Sequence, residues 1–405
     1  MAFGDFTVDR NDKKYVLGSG GTIIEYAEDE PAFEFNTDGS YKGLLVEPAA
    51  TNICKQSEDI RDTAAAGETR PWTLNATATP TQSTAETPDG DTSNKYIKLV
   101  DDGSNPTGTG AVQVYQNITV SAGTKYTFSV FLKADQLAFA QLQAQFPAAL
   151  SKSQYFGLSG AGTKGTASGL DDSKIEAYPN GWYRCTITWT QPAANTSVYP
   201  VIQVADSISN NTVDLDGTSS IFVWGAQVET GPIATSYIPT TTASVTRNAD
   251  DITLGSASSL IGQTEGTLYV EVDWRLATGT FQFLLDANVG TFDDRVAIYN
   301  TNGSELRMYA DANGVNLTNQ GESSAAYSGI QKIAFAYKTD DFELYRNGSS
   351  ISSDTGGSLA ALPTLTDIDL GQQYDGSAPC NMWIRAVALY PTRLSDAEAQ
   401  ALTTL

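Results

Sequence analysis

The feature that most restricts the fold of this chain is a succession of short segments with alternating apolar and polar residues. Segments such as TKYTFSVFLKA at 124–134 and GWYRCTITWT at 181–190 are rich in β-branched and aromatic residues, and clusters of Gly, Pro, Asn, Asp and Ser separate them. Alternation with a period of two indicates strands that bury one face, and closely spaced turn residues indicate antiparallel connections. The sequence therefore predicts an all-β protein built from antiparallel sandwiches.

Two groups of such segments follow one another, and a Thr- and Ser-rich stretch separates them. The groups at 71–238 and 266–390 each predict one jelly-roll sandwich. The second group is followed by SDAEAQALT, in which Ser395 can cap a helix and Glu398 stands three residues later, as in a capping box. We therefore expect two jelly-roll β-sandwiches in tandem and a short C-terminal helix. The predicted domains are a small docking segment at 1–55 and sandwiches at 56–250 and 251–405.

The N-terminal segment has too few apolar residues to bury a core of its own, so we expect it to dock on a neighbouring sandwich. The boundary between the sandwiches contains Arg247, Asp250 and Asp251. An ion pair between this arginine and one of the two aspartates is predicted to fix the angle between the sandwiches.

The acidic charge and the lack of histidine exclude whole classes of function. The chain has 24 Lys and Arg against 47 Asp and Glu, a formal net charge of −23, and no His. So acidic a surface repels nucleic acid and anionic lipid, and we expect neither as a partner. Without His, a Ser-His-Asp triad and the usual zinc sites are excluded, so hydrolysis would have to rest on carboxylates.

Three widely separated cysteines, Cys54, Cys185 and Cys380, predict buried reduced thiols rather than a disulfide framework. The N-terminus has no apolar run of signal-peptide length, and no window approaches about 18 apolar residues. We therefore expect synthesis in a cytoplasm, without a signal peptide or a membrane anchor.

Two parts of the chain resemble known families. The stretch IQKIAFAYKTDDFELYRNG at 330–348, together with TDIDLGQ at 366–372 and the closing strand and helix, resembles laminin-G/concanavalin A-like jelly rolls. The stretch from 123 to 240, with GTKYTFSVFLKA, NGWYRCTITWT and IFVWGAQVETGPIATSYIPT, resembles carbohydrate-binding jelly rolls of tailed-phage virion proteins. PAFEFNTDGSYKGLLVEPAATNICKQSED at 31–59 is similar to a segment that precedes such domains.

The resemblance implies a non-enzymatic, surface-exposed structural component of a bacteriophage virion, of the tail-fibre, head-fibre or capsid-decoration type, that contacts host-surface polysaccharide. Its expected partners are other virion proteins of the capsid or tail, with residues 1–55 as the anchor. A homo-oligomer is expected, and closed trimers are common among such appendages. Deleting Met1 to Glu47 is expected to abolish incorporation into particles while both sandwiches stay folded. The alternative function is a carbohydrate-active enzyme that depolymerises glycans.

A row of glutamines at 141–146 is the candidate glycan contact. A pyranose presents an apolar C–H face and a rim of hydroxyls, so its recognition needs an aromatic platform beside amides or carboxylates. Alternate residues of a strand share a face, which places the three amides of QLQAQF together. An ordinary solvated sheet face is the alternative interpretation. The predicted contacts are Gln141, Gln143 and Gln145, with Tyr115, Tyr155 and, as a further candidate, Tyr199 supplying the platform.

Carboxylate pairs are the only candidates for catalysis. Glu271 and Asp273 alternate on one predicted strand, as do Asp367 and Asp369, and glycoside hydrolysis uses two such groups. Concanavalin-like glycosidases of the bacterial type carry an E-x-D-x-x-E run, in which Leu276 here replaces the third acid. We therefore predict no catalytic residues.

Acidic turns are the candidate metal ligands, because Ca²⁺ takes oxygen ligands and needs no His. No cofactor is required by the predicted function, and a structural Ca²⁺ is the one ion that the pattern suggests. Asp, Asn and Gly that simply form turns are the alternative. The candidate ligands are Asp101, Asp102, Asp214 and Asp216.

Overall fold

The structure is a computed structural model that describes residues 5–62, 70–147, 149–275, 281–301, 305–323 and 329–405. Within these ranges the strands pair antiparallel throughout, and one α-helix is present, which confirms the predicted all-β class. No helix in the described ranges is long and apolar enough to cross a bilayer.

Six short strands precede the first sandwich. They are β1 (Thr7–Asp9), β2 (Lys14–Leu17), β3 (Ile23–Tyr26), β4 (Phe33–Phe35), β5 (Tyr41–Val46) and β6 (Ala50–Asn52).

The first sandwich follows, with a 3₁₀ turn at Pro179–Gly181. Its strands are β7 (Trp72–Leu74), β8 (Ala78–Ser83), β9 (Lys95–Asp101), β10 (Asn105–Gly110), β11 (Gln113–Gln116), β12 (Ile118–Thr119), β13 (Lys125–Ala134), β14 (Phe139–Phe146), β15 (Ala149–Gly157), β16 (Thr163–Ser168), β17 (Asp172–Ala177), β18 (Trp182–Thr190), β19 (Ser197–Ala205), β20 (Val213–Leu215) and β21 (Ser220–Thr230).

The connector and the second sandwich complete the chain, with a 3₁₀ turn at Leu359–Ala361. Their elements are β22 (Val245–Arg247), β23 (Asp251–Leu254), β24 (Glu265–Trp274), β25 (Gln282–Asn288), β26 (Arg295–Thr301), β27 (Glu305–Ala312), β28 (Val315–Ser323), β29 (Gly329–Lys338), β30 (Asp341–Arg346), β31 (Ser349–Asp354), β32 (Asp367–Leu370), β33 (Met382–Tyr390) and α1 (Asp396–Thr403).

Four large sheets form the two sandwiches. The first sandwich has sheet 1, ordered β16-β15-β14-β19-β11-β7 with β12 beside β19, and sheet 2, ordered β17-β18-β13-β21-β9-β8. The second has sheet 3, ordered β31-β30-β29-β24-β33-β5-β4, and sheet 4, ordered β1-β23-β32-β25-β26-β27-β28. Alternate apolar residues of facing strands fill each interior, as period-two alternation requires.

Three of the six N-terminal strands, β1, β4 and β5, belong to the sheets of the second sandwich, although they precede the first in the chain. The strands β2 and β3 pair with each other, and β6 pairs with β22. In β5, Leu44 pairs with Ile384 of β33, and β1 pairs with β23 at the edge of sheet 4. Leu44 and Val46 lie in the core of the second sandwich, whereas Cys54 and Ile60 lie in the core of the first. Residues 1–55 are therefore not a separate segment, and the sheets of the second sandwich extend beyond 251–405, because their edges need strands from the N-terminus.

Several local expectations are confirmed. All three cysteines are buried and free, and burial raises the pKa of each thiol. Ser395 accepts a hydrogen bond from the Glu398 N–H and the Glu398 side chain accepts one from the Ser395 N–H, which forms the capping box. Trp182 and Trp189 on β18 and Trp224 on β21 are also buried.

Candidate functional site

The glutamine row lies on the outer face of sheet 1. Leu142, Ala144 and Phe146 of β14 point into the core of the first sandwich, so the intervening residues point away from it. Gln141 and Gln143 alternate with these core residues. The predicted shared face is therefore confirmed by the core packing of β14.

Hydrogen bonds among amides fix part of the row. Gln143 donates from Nε2 to Gln141 Oε1 at 2.7 Å and to Gln203 Oε1 at 2.9 Å. Asn211 donates from Nδ2 to the same two oxygens, at 2.8 and 3.1 Å. Each of these oxygens thus accepts two hydrogen bonds, which uses both of its lone pairs.

Two of the predicted contact residues are not available at the surface. Gln141 is only 5% exposed because Asn211 and Gln143 pack against its amide oxygen. Tyr155, its cross-strand neighbour on β15, is 9% exposed, and burial raises the pKa of its hydroxyl. These two residues lie on the same face but offer a ligand almost no accessible surface.

The accessible part of the face lies toward the other end of β14. Gln145 is exposed and its cross-strand neighbour is Tyr199, while Gln143 and Tyr115 are both neighbours of Val201 on β19. The rings of Tyr115 and Tyr199 meet edge to face, with centroids 5.7 Å apart, and both are half-buried. Two partly exposed aromatic rings therefore lie beside two amides.

The free hydrogen-bonding groups of this patch point to a polar ligand. In the described part of the chain, Gln143 Oε1 and the whole amide of Gln145 have no hydrogen-bond partner. Because Gln143 Nε2 is held by two acceptors, its carbonyl oxygen is fixed in orientation and remains able to accept a hydroxyl proton. We name Tyr115, Gln143, Gln145 and Tyr199 the amide–tyrosine face.

The sequence alone did not identify Gln203 and Asn211. Gln203 is a single amide in the apolar strand β19, and Asn211 lies in a turn-rich stretch where Asn is common. Only the strand register, which places Gln203 opposite Gln141, brings them to the row.

The acidic turns have another role in the structure. The carboxylate of Asp101 is buried and accepts hydrogen bonds from the N–H groups of Gly103 (2.9 Å), Gly217 (2.5 Å) and Ser219 (2.8 Å). Asp102 and Asp216 accept hydrogen bonds from the residues two positions later, Ser104 and Thr218, and these bonds lower the pKa of both carboxyls.

Asp214 is exposed on β20, and no group of three or more acidic or Cys side chains converges on a metal position in the described ranges. The alternative interpretation of these residues, that they form turns, therefore accounts for the geometry of the loops better than calcium ligation does.

Other side chains hold two of the carboxylates considered for catalysis, Glu271 and Asp369. Glu271 accepts a hydrogen bond from Arg385 Nε at 2.8 Å, and Tyr269 donates to its other oxygen at 3.4 Å. Asp273 is half-buried on the same strand, and Leu276 lies outside the described residues. Asp369 is buried on sheet 4, where Asn288 donates to it at 2.6 Å, so it has no accessible surface for a substrate.

Together these features define an all-β protein of two tandem antiparallel jelly-roll sandwiches with a polar and aromatic sheet face. No protein-family model matches the chain, and no curated protein is significantly similar to it.

Some solved structures are similar to one part of it. The CBM40 domain of the Ruminococcus gnavus IT-sialidase is similar over 36% of this chain and 86% of its own, with 19% sequence identity and a TM-score of 0.32. A botulinum neurotoxin type C structure, whose title describes cell entry through two ganglioside molecules, is similar over 38% of this chain and 40% of its own, with 13% identity and a TM-score of 0.32. A SAP-like pentraxin of Limulus polyphemus is similar over 36% of this chain and 72% of its own, with 11% identity and a TM-score of 0.30.

Proposed function

We propose that the protein is a non-enzymatic structural component of a bacteriophage virion, exposed on the particle as a tail fibre, head fibre or capsid decoration. In this proposal it contacts host-surface glycans through the amide–tyrosine face. The resemblance of residues 31–59 and 123–240 to exposed virion proteins supports the location. The glycan contact rests on the geometry of sheet 1.

The observation that carries the glycan contact is the Tyr115–Tyr199 pair beside the fixed amide of Gln143. A pyranose can place its C–H face on a tyrosine ring and its hydroxyls on the free amide oxygens and nitrogens next to it. Because two acceptors already hold the Gln143 amide, binding costs little side-chain entropy at this position. This combination of fixed amides and half-exposed rings favours a saccharide over an apolar ligand.

The proposal of a non-enzymatic role rests on the carboxylates. Glycoside hydrolysis needs an acid with a raised pKa and a second carboxylate at an accessible cleft. Glu271 is instead held by Arg385, and the chain has no histidine to replace it as an acid or base.

A binding assay with purified protein tests the contact. The protein is applied to a glycan array and to polysaccharide from the host cell surface. Replacing Tyr115 and Tyr199 by Ala is expected to weaken binding about tenfold or more, because each ring supplies apolar contact area. A Tyr41→Ala variant is the matched control, since Tyr41 is partly exposed on the other sandwich.

Equal binding by the double variant and the control would contradict the contact. Release of reducing ends from the polysaccharide, lost in Glu271→Gln, would establish the depolymerase alternative instead. Immunogold labelling of purified particles tests the location, and particles without label would refute a virion role.

A further inference from the structure

A pocket lies on the outer face of sheet 4, in the second sandwich, whereas the amide–tyrosine face belongs to the first. It has a volume of about 430 Å³ and is lined mainly by aromatic rings. Phe283, Tyr299 and Tyr309 come from β25, β26 and β27, and the residues next to them in the chain, Leu284, Ile298 and Met308, lie in the core. The other lining residues are Phe281, Phe292, Arg295, Asn319, Gln373, Ser377 and Ala378.

The rings are packed against one another in a fixed arrangement. Phe283 and Tyr299 stack with centroids 5.1 Å apart, and Tyr299 meets Tyr309 edge to face at 5.9 Å. The Tyr299 hydroxyl donates to Asn319 Oδ1 at 2.7 Å, which fixes the ring further. The floor of the pocket is therefore a preformed aromatic surface.

Two phenylalanines at the pocket remain half-exposed. Phe281 is 52% exposed and Phe292 is 50% exposed, although burying such a ring is worth about 1.5–3 kcal/mol. Phe281 lies 5.9 Å from Tyr299 and Phe292 lies 6.4 Å from Tyr309, between ring centroids, so they extend the aromatic floor outward. Exposed apolar groups that line one concave site are typical of a ligand contact.

A buried ion pair supports the pocket from below and leaves it without net charge. Arg295 is fully buried, and its Nη1 lies 3.1 Å from Asp286 Oδ2. The guanidinium lies against the rings of Phe292 at 4.1 Å and Phe283 at 5.0 Å, which is cation–π geometry. Arg295, the one basic residue among the described residues that line the pocket, is thus paired with a carboxylate and covered by rings.

The polar groups at the rim are amides and a hydroxyl. Asn319 accepts through its oxygen from Tyr299 and Arg307, which leaves its amide nitrogen free in the described structure. Gln373 donates to Asp375 and Ser377. Asp293 and Asp375 are exposed next to lining residues and repel an anionic ligand.

From this geometry we propose that the pocket is a second saccharide site, which takes an uncharged pyranose residue. The C–H face of the sugar stacks on Phe281, Phe292 and the tyrosines, and its hydroxyls bond to Asn319, Gln373 and Ser377. The ligand class rests on the proposed function, but the residues are a separate set. One chain then contacts a polysaccharide at two points, which increases avidity without a new contact type.

Saturation-transfer NMR on the full chain tests the inference with methyl β-D-glucoside, methyl β-D-galactoside, methyl N-acetyl-β-D-glucosaminide and, as the charged counterpart, methyl β-D-glucuronide. At least one neutral glycoside is expected to bind. Measured in a Tyr115→Ala/Tyr199→Ala background, which removes the first face, its signal should fall about tenfold or more when Phe281 and Phe292 are also replaced by Ala, because the stacking surface is lost. Val315→Ala is the matched control, because Val315 is an exposed apolar residue on neighbouring β28. Thermal melting checks that each variant is folded.

The variants separate this site from the amide–tyrosine face. With the first face intact, a partial loss of signal in the phenylalanine variant supports the pocket and leaves the first face standing, whereas loss of nearly all signal supports the pocket and speaks against the first face. Loss only in the Tyr115→Ala/Tyr199→Ala variant overturns the pocket and leaves the proposed function standing. Binding by no neutral glycoside, equal signals in the phenylalanine variant and the control, or stronger binding of the glucuronide would each overturn the inference.

Discussion

Lys14 and Asp250 form a buried ion pair, with Lys14 Nζ 2.5 Å from Asp250 Oδ2, although 236 residues separate them in the chain. Arg10 reaches the other oxygen of Asp250, Oδ1, at 3.0 Å. The Glu47 N–H donates to Asp250 Oδ2, the oxygen that Lys14 contacts, at 2.8 Å. The N-terminus is thereby fixed to the connector between the two sandwiches.

Glu47 is the second anion of this junction. Its carboxylate lies 3.3 Å from Lys14 Nζ, 3.4 Å from Arg247 and 2.5 Å from Arg275 of the second sandwich. The sequence correctly placed Arg247 and Asp250 at the junction, but the expected pair between them was wrong. Each of them pairs with a residue of the N-terminal segment, because that segment passes between the sandwiches.

Removing the charge of Glu47 is expected to destabilise the protein strongly. Burial alone would raise the pKa of Glu47, but Lys14, Arg247 and Arg275 outweigh it and hold the pKa well below its usual value. Glu47→Gln leaves three cations without this partner, so we expect a loss of about 3–5 kcal/mol of unfolding free energy. Denaturant titration measures this loss. The wild-type protein should also lose stability as the pH falls below about 4.5, because Glu47 then takes up a proton in the unfolded chain but stays ionised in the folded protein.

Glu25→Gln is the matched control for this substitution. Glu25 pairs with Lys13 at 2.7 Å, but both side chains are about half exposed, so the loss should stay under about 1 kcal/mol. Equal losses in the two variants would show that the buried junction contributes no more than a surface pair.

Deleting residues 1–47 is expected to unfold the second sandwich, contrary to the expectation from sequence that both sandwiches stay folded. The deletion removes β5 from sheet 3 and β1 from sheet 4, together with the core residues Leu44 and Val46. It also leaves Asp250 buried without Arg10 and Lys14. Limited proteolysis with mass spectrometry should show cleavage throughout 251–405, whereas the Glu25→Gln variant, changed only at an exposed ion pair of the same segment, should resist it.

An intact second sandwich after this deletion would contradict the structural role of the segment. It would also restore the simpler expectation that residues 1–55 act only as an anchor. If the sandwich unfolds, loss of incorporation into particles no longer identifies an anchor by itself.

The strands that sequence predicts well are those with one face in a core. The predicted 124–134 and 181–190 correspond to β13 and β18 within one residue at each end, because their alternation reflects burial. The sequence did not indicate β16, which is polar and mostly exposed, or β28, which is polar and only partly buried, because neither has an apolar alternation to detect. Tertiary pairing rather than local preference makes them strands.

The candidate site shows the same limit. The alternation of QLQAQF correctly places its glutamines on one face, but which of them reaches solvent depends on Asn211, 66 residues or more away in the chain. The aromatic pocket on sheet 4 combines residues from β25, β26, β27, β28 and three loops, so no single window of sequence could reveal it.

Asp369 should make the stability of the protein decrease as pH rises. Burial raises the pKa of Asp369 to about 7, and the carboxylates of Asp286 and Asp251 add to this, against a hydrogen bond from Asn288. The folded state therefore keeps a proton that the unfolded chain loses near pH 3.8, and stability falls between about pH 4 and 7. Asp369→Asn should flatten this fall and be more stable at pH 8 by on the order of 2 kcal/mol.

Denaturant midpoints at several pH values measure this effect. Asp214→Asn is the control, because Asp214 is exposed and lies on the first sandwich, away from Asp369. Parallel pH profiles of the wild type and Asp369→Asn would show that Asp369 is ionised in the folded state.

Asp101 allows a direct test of the acidic turns as loop supports or as calcium ligands. Its carboxylate accepts three backbone hydrogen bonds that tie the loop after β9 to the loop before β21. In Asp101→Asn an NH₂ group replaces one carboxylate oxygen and faces a backbone N–H, so two donors meet. We therefore expect the free energy of unfolding to fall by about 2–3 kcal/mol. This loss of unfolding free energy should be the same in 5 mM CaCl₂ and in the presence of a chelator. The CaCl₂ concentration is about 100-fold above the dissociation constant of a site in the 10⁻⁵–10⁻⁴ M range. Exposed Asp214→Asn should change stability by less than about 0.5 kcal/mol. A melting temperature that rises with Ca²⁺ in the wild type and not in Asp101→Asn would instead establish a calcium site.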